Sequence, residues 1–144
     1  MTPGPARRDE DHRRPRGITA LALFFGLGAL MSSIAAITLA FPGSFLQSVW
    51  RLNPRAYEAL SDFGVAAAVM MAVVSLACAS ATLGLWRAHP WGRLLAIGLL
   101  TINALSDMGN AMFGDEPWAA IGAPIAVVLI AYLLSRRVRR YFAR

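Results

Sequence analysis

The chain has 144 residues, 57% of them hydrophobic and only 15% charged, with a formal net charge of +6 and a mean hydropathy of +0.52. That is enough for one domain, but soluble domains carry about 25% charge, and one this small has too much surface for its volume to hide so many apolar groups. The composition therefore excludes an ordinary water-soluble domain and points to a chain that uses the bilayer as its apolar solvent.

Residues 1–16 hold Pro3, Pro5 and Pro15 among mixed charges from Arg7 to Arg16. With few apolar groups to offset ordering, this basic and acidic N-tail is predicted to be disordered. A charge-free apolar run follows from Ile18 to Phe41, longer than a hydrocarbon core of about 30 Å requires. A cleaved signal peptide is the competing reading, but the run exceeds the usual apolar length and the small-residue site near Thr38 and Ala40 is weak.

Pro42-Gly43 stops the first helix. Phe45, Leu46, Val49, Trp50 and Leu52 then recur at roughly helical spacing, which predicts a short amphipathic segment in the first extracytoplasmic loop, at the lipid interface. Asn53-Pro54 reads as an N-cap and first helical residue, with a short helix that can run on into the second span. That span is predicted over 63–86. It is rich in small residues, and the pairs Ala77/Ala81 and Ser80/Gly84 have the spacing that lets helix backbones approach closely. Its lone Cys78 excludes an internal disulfide and reads as a small packing residue.

Pro90 and Gly92 punctuate a predicted loop over 87–93. The third span is predicted over 94–113, an acidic turn at Gly114-Asp115-Glu116-Pro117, and the fourth span over 118–135. Fully helical, that last span would measure roughly 27 Å. Pro124 is positioned to kink it. The C-tail, 136–144, carries Arg136, Arg137, Arg139 and Arg140, and reads as a basic continuation of the fourth helix with Val138, Tyr141 and Phe142 at the interface. Its bland role is a stop-transfer anchor held by anionic lipids. Its alternative role is docking a cytoplasmic partner.

Four spans put the N-tail, the 87–93 loop and the C-tail on one side with twelve of the fourteen arginines; the other side has Arg51 and Arg55. The positive-inside rule then places both termini in the cytoplasm. Trp86 and Trp91 fall at the inner interface and Trp50 and Trp118 at the outer one, as aromatic belts require. Ten arginines lie in the tails and no nucleic-acid motif is present, so the positive charge belongs to topology rather than to DNA or RNA.

Candidate chemistry concentrates in the third span. Asn103, Asp107 and Asn110 follow i, i+4, i+7 spacing and share one helix face, with Ser106 beside them. A carboxylate at a span centre costs about 2.5–3.5 kcal/mol, so this face is predicted to turn towards another helix or a second subunit. Interhelical hydrogen-bonding glue is the first reading. A proton or cation path through Asp107 is the alternative, and an interfacial Asp107 is a third. Enzyme chemistry is poorly served. His12 and His89 lie outside the spans, no serine–histidine pair is embedded, Met112 stands where an intramembrane aspartyl protease wants glycine before Gly114-Asp115, and no phosphate-binding glycine loop appears. No metal, cofactor or catalytic residue is predicted.

Several stretches carry a family likeness: Trp50-Arg51-Leu52-Asn53-Pro54, Gly84-Leu85-Trp86-Arg87 with Trp91-Gly92-Arg93, Asn103 through Asp107 to Asn110, and Tyr132-Leu133-Leu134 before Arg136. Over roughly residues 18–142 the chain resembles small four-span bacterial membrane proteins of unknown function. The resemblance implies the bacterial cytoplasmic membrane and brings no activity with it. The expectation is thus an all-α four-helix transmembrane bundle of up-down topology. Its most natural role is non-enzymatic, structural or accessory, with self-association through the second span. The alternative is a small transporter or proton-linked channel.

Overall fold

The computed structural model describes residues 15–113 and 121–142, and within them every regular element is helical. In chain order these are α1 (Arg16–Ala40), a 3-10 helix (Phe45–Leu52), α2 (Pro54–Ser61), α3 (Val65–Trp86), α4 (Pro90–Phe113), α5 (Gly122–Leu134) and α6 (Arg136–Phe142). By length and composition α1, α3 and α4 can each cross a membrane, and α5 is a shorter apolar helix. The protein is therefore a helical membrane protein, with three long apolar helices among the described residues where four were expected. Of the predicted fourth span, 118–135, the described part starts at Ile121, and α5 covers 13 residues of it. The predicted disordered N-tail (but for Pro15 and Arg16), the acidic turn at 114–117, Trp118 and Arg144 lie outside the described residues.

α1 and α3 pack along their whole length, antiparallel. The α1 face is Ile18, Leu21, Ala22 and Phe25, and it meets Cys78, Ala81 and Leu85 of α3. These positions recur every three or four residues, the spacing of one helix face. The pairing is closed halfway along by hydroxyls. Ser75 Oγ donates to the Ala29 carbonyl (2.9 Å) and lies 2.6 Å from Ser33 Oγ. A serine has one proton to give, so Ser33 donates to Ser75. Both hydroxyls are satisfied where a bilayer would offer no water.

The turn between α3 and α4 is shorter than predicted. α4 begins at Pro90, where a proline's fixed φ and missing N–H suit the first helical turn. Trp91, Gly92 and Arg93 are therefore helical rather than loop. His89 N–H bonds the Gly84 carbonyl (2.9 Å) and Ala88 N–H the Leu85 carbonyl (3.3 Å), the paired bonds of a Schellman end. Gly84 and Gly92 touch backbone to backbone; a Cβ on either would overlap the other.

Two further boundaries differ from the sequence reading. α2 starts as expected, with Asn53 Oδ1 accepting the Ala56 N–H (3.1 Å), but it stops at Ser61 and does not run into α3. Gly64, at φ +52 and ψ −125, turns the chain in a region closed to other residues. At the other end the C-tail does not continue the preceding helix. Ser135 is extended (φ −57, ψ 148) and caps a new helix, its hydroxyl accepting the Val138 N–H at 3.5 Å. Val138 and Phe142, one turn apart on α6, are buried in the bundle's main core with Ile18, Leu85, Ala96 and Leu133. The apolar side of the tail is spent on protein rather than lipid.

Candidate functional site

α4 carries the embedded polar groups, and they differ in exposure. Asp107 is half-buried on the seam with α5, while Asn103, Ser106 and Asn110 are exposed on the outer flank. Asn103 Nδ2 donates to Asp107 Oδ2 at 3.1 Å, the i, i+4 bond that the spacing allows. The carboxylate lies directly against Gly122, the first residue of α5, where even a methyl group would overlap it. At the far end of α5, Arg93 Nη1 reaches the Leu133 carbonyl in a long bond of 3.4 Å, placing positive charge at the helix terminus that favours it. Two side chains of α4 thus bracket α5, and neither Gly122 nor Leu133 was singled out by the sequence.

The small-residue pairs of α3 are divided in the same way. Ala81 and Gly84 are buried and Ala77 and Ser80 half-buried. Ala81 lies in the core cluster with residues of α1, and Gly84 meets Gly92 in the first turn of α4. Trp86 and Trp91 are both about half exposed at the end that also holds Arg136, Arg137, Arg139 and Arg140, all four exposed on α6.

A second constellation forms at the opposite end. Thr38 is fully buried; its hydroxyl bonds the Ile34 and Ala35 carbonyls (2.9 and 3.0 Å) and accepts the Trp50 indole N–H at 2.9 Å. Trp50 packs on Tyr57 with ring centroids 5.2 Å apart. Gln47 ties the rest together, accepting the Gly43 N–H (2.7 Å) and donating to the Tyr57 hydroxyl (3.0 Å). These bonds hold the 3-10 helix and α2 as a cap over α1. Beneath the cap is a cavity of about 270 Å³. Its walls include Met31, Ile34 and Ala35 of α1, Trp50, Leu60 and Met71. The amphipathic cap was legible from Phe45 to Leu52. Thr38 was not, because its partner is twelve residues away and only the folded turn brings them together.

Among the described residues no group of three or more histidine, cysteine or acidic side chains gathers to hold a metal. No known family, curated protein or solved structure matches the chain.

Proposed function

We propose that this protein is a non-enzymatic, structural or accessory component of the bacterial cytoplasmic membrane, crossing it four times with both termini inside, and that it self-associates through α4. The observation that carries the reading is the exposure of Asn103, Ser106 and Asn110 on one flank of a helix long enough to span. Ser106 lies roughly 20 Å along α4 from Arg93, so with Arg93 near the inner boundary it sits within the hydrocarbon core. An unsatisfied polar group there costs about 1–3 kcal/mol, and lipid tails offer no partner. A second copy does, because amides and hydroxyls both donate and accept. In a two-fold dimer the same stripe faces itself.

Disulfide crosslinking in a Cys78→Ala background tests this. Asn110→Cys is expected to give a covalent dimer in membranes under mild oxidant, and Leu27→Cys, on the exposed side of α1, is not. A monomer at every position along α4 overturns the self-association. The second reading, passage of protons or cations, is favoured by the half-buried place of Asp107 between α4 and α5. Asp107→Asn keeps the hydrogen bonding and removes the titratable group. A pH-driven flux in vesicles that disappears in this variant would move the assignment to transport.

A further inference from the structure

We infer that the cavity beneath the cap is a phospholipid site, holding one acyl chain inside and the phosphate at Arg51. The inference rests on the membrane placement but not on self-association, which involves a different helix. Three features carry it. The first is volume: an apolar protein cavity of about 150 Å³ already takes a benzene-sized molecule, and this one, at about 270 Å³, has room for a run of methylenes. The second is access. Met31 is 42% and Leu52 84% exposed and both line the cavity, so its rim is continuous with surface that faces lipid tails. An apolar space open to hydrocarbon gains dispersion contacts when a chain fills it.

The third feature is charge. In the run Trp50-Arg51-Leu52-Asn53, the first, third and fourth residues line the cavity, and Arg51 is exposed in the last turn of the 3-10 helix. A guanidinium is a fork of N–H donors matched to phosphate oxygens. One turn of chain therefore supplies the wall for a tail and a cation for its headgroup. The cap is also held in place independently of any ligand, by the Trp50–Thr38 bond and the Gln47 bridge, so the site is formed before the lipid arrives.

Native mass spectrometry of the full chain released from nanodiscs of dioleoyl phosphatidylglycerol and dioleoyl phosphatidylcholine reads the outcome. One phospholipid per chain is expected to survive detergent that strips the annular lipids. Arg51→Gln, a surface change, is expected to lower the retained fraction at least threefold, and Ala35→Phe, which fills the cavity, to abolish it at unchanged helicity. Added dioctanoyl phosphatidylglycerol should displace the bound lipid and dibutyryl phosphatidylglycerol, whose tails are too short to enter, should not. A lipid-free chain, or equal retention in wild type and Arg51→Gln, overturns the site. The same spectra count subunits, so a failure here is distinguishable from a failure of the dimer.

Discussion

Ala88 occupies a position that helix ends usually give to glycine. Its φ of +56 is left-handed, which costs an L-residue with a Cβ about 1–2 kcal/mol. The Schellman bonds of the α3–α4 turn impose it. Ala88→Gly is expected to stabilise the protein by up to about 1 kcal/mol, since relief of strain is partly offset by greater freedom of the unfolded chain. Four residues on either side the demand reverses. Gly84 and Gly92 meet with no room for a side chain, so Gly92→Ala should force α3 and α4 apart at a cost of about 1–3 kcal/mol. Both changes can be read from unfolding in detergent. The sequence exposed Gly84 through its small-residue spacing with Ser80. It hid Gly92, because proline and glycine together read as loop when here the proline opens a helix.

At the scale of elements, the fit between α4 and α5 is set by one contact that spacing along either helix cannot reveal. Asp107 and Gly122 sit in different helices, and only their packing makes the glycine obligatory. Gly122→Ala should therefore destabilise by about 1–3 kcal/mol, and most of that penalty should vanish in an Asp107→Ala background. A double-mutant cycle measures the difference, and additivity of the two changes would separate the residues. The C-terminal helix makes a comparable claim. Its arginines, which the sequence offers as an interface anchor, are exposed. Its break at Ser135 was not legible, although serine is a preferred N-cap. Because Phe142 is buried against protein, Phe142→Ala should lower stability by about 3–5 kcal/mol. An aromatic resting in headgroups would leave the unfolding midpoint almost unchanged.

Across the whole molecule, the sums over many residues were the legible part. Apolar runs located α1, α3 and α4 within a few residues, and the described helices match them in type and order. The described part of the predicted fourth span is α5, from Gly122 to Leu134. The number of crossings sets the topology. Three crossings would leave the termini on opposite sides, whereas four return them to one side. The packing favours return: a Cβ on Gly17, near the start of α1, would overlap Tyr132 near the end of α5, and Ile18 shares a core with Val138 and Phe142. The Arg93 and Asp107 contacts with the two ends of α5 likewise set its 13 residues against most of the depth of α4. On the four-crossing reading both termini lie on the cytoplasmic side. A reporter fused after Arg144 should then be active only inside the cell, and one inserted at Gly64, in the turn between α2 and α3, only outside. An external C-terminal reporter with an internal Arg16 would reduce the crossings to three and leave α5 and α6 packed at a membrane surface.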